Sequence, residues 1–441
     1  MGWADESDLT LVLARLNPDR PASKAGQDGL TPYQARGDDF ARRLNRDARV
    51  STRILVTGQT GVGKSSELHR FVQEPHGHDW VVHADLEVGQ HPDHLGMTGV
   101  ILNLLRACWR SPPDYGPLEV LESSFESSSS SAVDLREAIR DRVLTHLLDV
   151  FEARKSADER TATLRLAGRR EKIDLTNRAA AIERILKEAA STPWLDDAVN
   201  SDSAVRDQCG RLLIEVLDHF RRARSKRRRW IFVIDHLDRV RVPTVAEDIL
   251  VRSSRIWKSI DATIVMTAPR ECTIGESREA VESFWGKPIM LYPAPIPESP
   301  KGAIPGIFRR VVAGAGMQEV IDDTCVRLLA RSSGGFLRTY VQLLAQAAKE
   351  ANFRSSERIE LRDAQFAVHE AERSYQDLSG DEVDRLGQIL TDQAGLAKGA
   401  SLLRPPIGLI VALDSNGEQE LRAHPLADRA LERRWLLRHP N

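Results

Sequence analysis

The sequence has only four cysteines among 441 residues, at positions 108, 209, 272 and 325, and they lie far apart. This scarcity argues against a disulfide framework and a cysteine-based zinc site, because both need paired or closely spaced cysteines. Reduced thiols favour a cytoplasmic protein. The chain also lacks an apolar run near the roughly 20 residues that a membrane helix needs, so we expect no membrane partner.

The chain has little net charge, since 62 Lys and Arg face 64 Asp and Glu. A formal net charge of −2 gives no overall reason to expect nucleic acid, so basic segments are judged locally. Seven of the nine residues at 221–229 are Lys or Arg. They can bind nucleic acid by releasing counterions, or they can form a solvated turn between a helix C-terminus and a strand. We favour the turn, so nucleic acid is an open but not a preferred partner.

The segment GQTGVGKS fits the pattern G-x-x-x-x-G-K-[ST] at every fixed position, and we call residues 58–65 the phosphate loop. The apolar run at 53–57 predicts a buried strand before it, and a helix is predicted after it. Glycines let successive backbone N–H groups converge on one anion, which the helix N-terminus also attracts. The nucleotide-binding residues predicted by this segment are Gly58, Gln59, Thr60, Gly61, Val62, Gly63, Lys64, Ser65 and Ser66.

Two side chains of the phosphate loop have distinct predicted roles. Lys64 reaches the β- and γ-phosphates, and Ser65 offers its hydroxyl to Mg²⁺. As a charge on a surface loop, Lys64 is expected to be dispensable for folding.

The segment WIFVID at 230–235 supplies an acidic partner for this loop. A continuous apolar run that ends in a carboxylate is typical of a buried parallel strand whose carboxyl end lines a ligand crevice. Asp235 is therefore predicted to hold Mg²⁺ together with Ser65. His236 follows where many hydrolytic relatives carry an acid. Asp238 is the nearest substitute as base or water-orienting residue, with a salt bridge or helix cap as the alternative.

Three further side chains are candidates for contact with the phosphates. A third strand is predicted at 262–267, so that Thr267 can sense the γ-phosphate or the attacking water. Arg270, three residues later, can neutralise phosphate charge. Arg338 begins a helix after Gly334 and Gly335, from which it can swing over the nucleotide; a solvated helix charge is the alternative.

Five histidines at positions 76, 78, 83, 91 and 94 cluster near acidic residues. None of these pairs has a convincing helical spacing for a shared metal, so metal binding by this cluster is not favoured.

The order of predicted elements divides the chain into four parts. They are an N-terminal lead-in at 1–50, an α/β core at 51–296, a helical lid at 297–357 and a winged-helix-like unit at 358–441. A helical insertion at about 115–225 interrupts the core, because apolar residues recur there every three to four positions over a stretch too long for an ordinary crossover. A serine-rich run at 122–131 is expected to form an exposed loop.

The winged-helix interpretation depends on two signals. Residues 379–382 have capping-box spacing before a helix predicted to run to about 393, and Asn416-Gly417 marks a hairpin between strands at 408–413 and 418–423. The hairpin carries Asp414, Glu418 and Glu420, which a phosphate backbone would repel. Docking within the chain or onto a protein partner is therefore favoured.

In these motifs and their order, residues 33–430 resemble the AAA+ and STAND-like P-loop ATPases, nearest to the group that includes origin-recognition ATPases. The resemblance is carried by GQTGVGKSS, FVIDHLD, VMTAPR and SGGFLR, and it implies ATP rather than GTP as the nucleotide. It makes Thr267 a sensor 1 residue and Arg338 a sensor 2 arginine. Arg270 is similar to the arginine of the STAND T-x-R ending, although here two residues rather than one separate it from Thr267. A weaker likeness links FVIDHLDR to KAP-type proteins.

The predicted function is a Mg²⁺-dependent molecular switch that binds ATP, hydrolyses it slowly and controls an unidentified protein partner through core and lid rearrangement. His236 at the usual glutamate position implies the slow hydrolysis, and self-association is compatible with the family resemblance. Two alternatives remain. One is a nucleotide-dependent DNA-binding or loading factor with little hydrolysis, and the other, by family analogy alone, is a regulatory ATPase of a bacterial defence or mobile-element system.

Overall fold

The computed structural model describes most of the chain, as the following residues: 16, 38–50, 52–73, 79–86, 95–109, 131–166, 169–190, 202–222, 229–240, 243–273, 277–297, 302–373, 410–415 and 418–427. Four features predicted from the sequence lie wholly or mainly outside them. They are the first part of the lead-in, the serine-rich run, most of the basic run at 221–229 and the helix at 379–393.

A five-stranded parallel sheet forms the core, in the order β2-β6-β7-β1-β8. Its strands are β1 (Arg53–Gly58), β2 (Trp80–Asp85), β6 (Trp230–Asp235), β7 (Thr263–Ala268) and β8 (Ile289–Leu291). Every residue of β6 and β7 is buried, because helices cover both faces of the sheet. The strands predicted at 53–57, 230–235 and 262–267 are present to within one residue at each end, which confirms the α/β fold class.

Helices of the core cover both faces of this sheet, and those of the insertion pack against the helix that follows β2 or against one another. They are α1 (Asp38–Val50), α2 (Lys64–Gln73), α3 (Met97–Trp109), α4 (Ser131–Val150), α5 (Arg178–Ala190), α6 (Asp202–Arg222), α7 (Pro243–Glu247), α8 (Ser254–Ser259) and α9 (Arg278–Trp285). Successive residues of β1 point to opposite faces, so Ile54 and Val56 pack with Leu68 and Phe71 of α2 in one apolar cluster. Leu55 belongs to the larger cluster on the other face.

The insertion contains a small sheet as well as helices. Strands β3 (Arg154–Lys155), β4 (Thr161–Leu166) and β5 (Arg169–Asp174) pair antiparallel between α4 and α5. The prediction of a helical insertion was therefore wrong for residues 154–155, 161–166 and 169–174, and α5 begins only at Arg178. The alternation in TATLRL buries every second residue of β4 against the helices, a period-two pattern that the helical spacing on both sides obscured.

Four helices build the lid around one apolar core that includes Phe308, Leu329, Tyr340 and Leu344. They are α10 (Gly306–Gly314), α11 (Asp323–Ser332), α12 (Leu337–Phe353) and α13 (Leu361–Arg373). Because Ala364 and Ala367 of α13 belong to the same core, the helical unit continues past the predicted boundary at residue 357.

The C-terminal hairpin pairs β9 (Ile410–Ser415) antiparallel with β10 (Glu418–Ala423), which confirms that element of the winged-helix interpretation. The rest of the winged-helix assignment stays a prediction. After the hairpin, Leu426 and Ala427 are buried in the lid core. His424 is buried there too, and burial lowers the pKa of its imidazole to about 4 against the opposing effect of a hydrogen bond with the Ser333 backbone.

Within the described ranges, no helix has both the length and the apolar character needed to cross a membrane. All four cysteines are buried and unpaired with one another.

Candidate functional site

The phosphate loop adopts a backbone that its glycines permit. Gly58, Gly61 and Gly63 have φ angles of 154°, 89° and 100°, all in the region that side chains disfavour. A Cβ on Gly58 would lie 2.3 Å from the carbonyl oxygen of Leu291 in β8. On Gly61 and Gly63, a Cβ would lie 3.1 Å from side-chain atoms of Arg338 and Leu337. The loop is therefore enclosed by β8 on one side and the start of α12 on the other.

Lys64 is buried, contrary to the expectation of a surface charge. Its Nζ donates hydrogen bonds to the carbonyl oxygens of Gly58 at 2.8 Å and Gln59 at 3.0 Å. It also lies 2.8 Å from Oδ2 of Asp238, and the two side chains are only 4% and 9% exposed. The sequence left Asp238 as a base or a salt-bridge partner, and in this structure it forms the salt bridge.

The charge of Asp238 depends on its surroundings. Burial raises the pKa of this carboxyl, but the Lys64 ammonium acts against it as a positive neighbour and hydrogen-bond donor. Weaker attraction by His236 and Arg338 adds to this effect, so the pKa is held below its usual value. An ionised Asp238 thus sits beside the ammonium that is predicted to bind phosphate.

His236 links three acidic or polar groups at the ends of β2, β6 and the phosphate loop. Its Nδ1 lies 2.6 Å from Oδ1 of Asp85, and its Nε2 lies 3.2 Å from Oγ of Ser65. Its backbone is left-handed, with φ of 73°, and its N–H donates to Oδ1 of Asp235 at 2.8 Å. Burial lowers the imidazole pKa, whereas Asp85, Asp235 and Asp238 raise it, and the net shift is upward.

The sequence reasoning missed Asp85 as a site residue. Asp85 pairs in register with Asp235 across β2 and β6, so both carboxylates end their strands at the same edge. A usable signal existed, because WVVHAD and WIFVID both end an apolar run in aspartate.

Besides Oδ1 of Asp238, two buried oxygen atoms at this edge have no hydrogen-bond partner within the part of the chain that the structure describes. They are Oδ2 of Asp235 and Oγ1 of Thr267, and both residues are fully buried. A buried polar atom without a partner is costly, so these atoms fit a site that receives a hydrated cation or phosphate. Ser65 and Asp235 are therefore suitable residues for holding Mg²⁺.

The structure brings most of the predicted site residues together. The backbone N–H of Arg338 donates to the carbonyl oxygen of Gly61 at 3.2 Å, which joins the first turn of α12 to the phosphate loop. Thr267 lies in β7, in register with Val56 of β1. Arg270 is buried in a short 3₁₀ helix directly after β7, and its contact with phosphate stays a prediction.

The strand order, the glycine loop between β1 and α2, and the acidic end of β6 define the class of protein. The chain has the α/β fold of a P-loop NTPase, with a helical unit after the sheet. In this order, β7 lies between the loop strand β1 and the acidic strand β6.

No protein-family model matches the sequence, and no curated protein matches it. Among solved structures, the chain is similar to Cdc6p from Pyrobaculum aerophilum, with a TM-score of 0.42, 10% identity, and coverage of 98% of this chain and 100% of that chain. It is also similar to the Orc1 protein of Aeropyrum pernix in complex with DNA, with a TM-score of 0.43, 14% identity and 97% coverage of each chain. A Walker-type ATPase of Pyrococcus abyssi gives a TM-score of 0.41 and 12% identity, over 91% of this chain and 99% of that chain. The class rests on the strand order and loop geometry, not on these overlaps.

Proposed function

We propose that this protein is a Mg²⁺-dependent ATP-binding switch that hydrolyses ATP slowly and controls a protein partner through movement of the lid against the core. The observation that carries the proposal is the contact between the phosphate loop and α12. Arg338 bonds through its backbone to Gly61, and its charge acts on Asp238, the partner of Lys64. One small set of charges therefore connects the predicted phosphate site to the lid.

The chain's own residues explain how nucleotide would change this set. The loop N–H groups and Lys64 would hold the phosphates, with Ser65 and Asp235 holding Mg²⁺, which neutralises phosphate charge when bound. Lys64 would then exchange the Asp238 carboxylate for phosphate oxygens. Asp238 would lose its main counter-charge, and His236 and Arg338 are the further cations that already act on it. A stronger attraction between Asp238 and Arg338 would pull on the first turn of α12.

Slow hydrolysis is supported by the partners of the acidic residues around the loop. Asp238 is paired with Lys64, and Asp85 is bonded to His236. Because each carboxylate already has a partner, neither is available in this arrangement to act as a base on the attacking water. The choice of ATP over GTP comes from the family resemblance.

Arg338→Ala is expected to uncouple the lid from the nucleotide while weakening ATP binding by only about 10-fold, since its loss removes one charge–charge interaction. Hydrogen exchange measures the coupling between nucleotide and lid directly. In the wild type, a non-hydrolysable ATP analogue with Mg²⁺ should increase amide protection in 337–353, and the variant should lose the increase. The control is Arg362→Ala, because Arg362 is a 64% exposed arginine in α13. Nucleotide-dependent protection that survives in Arg338→Ala would refute the coupling.

A second candidate function, nucleotide-dependent binding of nucleic acid, is favoured by the insertion sheet. Arg165 and Arg170 are directly opposite across β4 and β5, and Lys172 is opposite Thr163 on the same face. These three basic side chains are exposed. Like charges placed opposite destabilise a sheet, and a polyanion would relieve that repulsion. The Arg165–Glu152 pair offsets little, because both side chains are 72% exposed.

The basic run at 221–229 gives less support, as far as the structure describes it. Arg229 lies 2.6 Å from Asp79 and donates to the carbonyl oxygens of Ala48 and Arg49. These bonds engage Arg229 within the protein and so favour the turn interpretation over nucleic-acid binding for this arginine.

Replacing Arg165, Arg170 and Lys172 with Gln tests the nucleic-acid function. If each holds one phosphate, the log–log salt slope of DNA or RNA binding should shrink by about 3, because each lost contact removes about 0.9. The matched control replaces three other exposed arginines with Gln. They are Arg142, Arg252 and Arg278, which are 61%, 70% and 56% exposed. A wild type that binds neither DNA nor RNA at low salt, with or without ATP, would rule out this function.

A further inference from the structure

Two histidines lie against Asp235 on the face of the sheet that α2 covers. His69 belongs to α2 and His83 to β2, and their ring centroids are 4.3 Å apart with the planes tilted by 58°. One ligand atom from each histidine and one from Asp235 lie within 4.8 Å of one another. His69 is 7% exposed and Asp235 is fully buried. Three metal-ligating side chains from three separate elements thus converge inside the core.

The donor set selects a class of cation. Two imidazole nitrogens and one carboxylate oxygen suit Zn²⁺ and similar divalent transition ions, whereas Mg²⁺ prefers oxygen ligands alone. Tetrahedral Zn²⁺ with bonds of about 2.1 Å keeps its ligand atoms about 3.4 Å apart, so these donors need to close by about 1.4 Å or less. Rotations of the two histidine side chains would have to supply that change.

A second observation points to the same place. Oδ1 of Asp235 accepts the His236 backbone N–H, but Oδ2 has no hydrogen-bond partner within the described residues. A fully buried carboxylate oxygen without a hydrogen bond needs a positive group nearby, and the Nε2 of His236 is 3.7 Å away. A cation between Oδ2 and the two imidazoles would satisfy it.

We propose that His69, His83 and Asp235 form a binding site for a divalent transition-type cation of the Zn²⁺ class. The site is distinct from the predicted Mg²⁺ position at Ser65, although the two share the carboxylate of Asp235. A cation there would fix α2 to β2 and β6 and hold Asp235 in one orientation. The proposal does not depend on nucleotide binding, because none of the three side chains comes from the phosphate loop.

Co²⁺ titration of the chelator-treated full-length protein, without nucleotide, tests the site. We expect one equivalent to bind with the visible absorption of a low-coordinate Co²⁺ centre, and Zn²⁺ to displace it. The double variant His69→Asn, His83→Asn should bind at least about 10-fold more weakly, since loss of supporting groups alone costs that much. The matched control is His146→Asn, His369→Asn, whose ligand-capable side chains lie in α4 and α13.

Other readouts separate this proposal from loss of folding and from the proposed function. The single variant His83→Gln changes the less buried histidine. Its circular dichroism should match that of the wild type. Zn²⁺ should raise the melting temperature of the wild type but not that of this variant. Lys64→Ala should lose ATP but keep Co²⁺. The site is refuted if the wild type binds no stoichiometric Co²⁺, or if a folded His83→Gln or double variant binds it as well as the wild type; the two histidines would then be a packed core pair only.

Discussion

Lys64→Ala is expected to abolish ATP binding and also to destabilise the nucleotide-free protein. Loss of the ammonium removes the main charge facing the phosphates, so we expect affinity to fall at least 100-fold. The stability effect arises because Asp238, only 9% exposed, would lose the partner at 2.8 Å that keeps it ionised at low cost. Removing one member of a buried ion pair costs about 3 kcal/mol or more. Calorimetric titration and urea unfolding measure the two effects separately.

A double-mutant cycle with Asp238→Asn isolates the ion pair. Asparagine needs no counter-charge, so Lys64→Ala with Asp238→Asn should be less destabilised than the sum of the single variants. Asp238→Asn alone should keep ATP affinity, because it removes a carboxylate that competes with phosphate for Lys64. If Asp238 also orients the attacking water, turnover in this variant should fall more than about 10-fold. Wild-type ATP affinity in a folded Lys64→Ala protein would remove the phosphate-loop assignment.

Gly58→Ala is expected to disrupt both the loop and the edge of the sheet. The new Cβ would lie 2.3 Å from the carbonyl oxygen of Leu291, where backbone rather than a flexible side chain must move. The φ angle of 154° adds backbone strain of about 1–3 kcal/mol. Because β8 pairs with β1 up to this residue, relief of the clash displaces β8 or the loop. We expect a lower unfolding midpoint and loss of measurable ATP binding.

Gly286→Ala is the matched control for Gly58→Ala. Gly286 also has a positive φ, of 76°, but a Cβ there meets nothing within 4 Å. With ψ of −176°, Gly286 lies in a region that essentially only glycine adopts, so its substitution should cost about 1–3 kcal/mol of backbone strain and leave ATP binding unchanged. If the two variants bind ATP equally well, the close approach of β8 to the phosphate loop does not shape the site.

The sequence alone determined the parts of this protein that depend on local pattern. The fixed spacing of 58–65 specifies a turn that only glycines can make, and the apolar runs that precede Gly58 and Asp235 specify buried strands. The Asn416-Gly417 pair likewise indicated the hairpin between β9 and β10. In each case the residues that set the structure are neighbours in the chain, so their order contains the information.

Tertiary structure decided which distant side chains meet. Asp85 and His236 are 151 positions apart, yet they bond because β2 and β6 lie side by side in register. The same pairing brings His83 to Asp235, and the packing of α2 adds His69. The choice between a base and a salt bridge for Asp238 also depended on where the chain after β6 passes Lys64. Sequence spacing fixes which face of an element a residue occupies, but the distance between elements follows from how the whole chain packs.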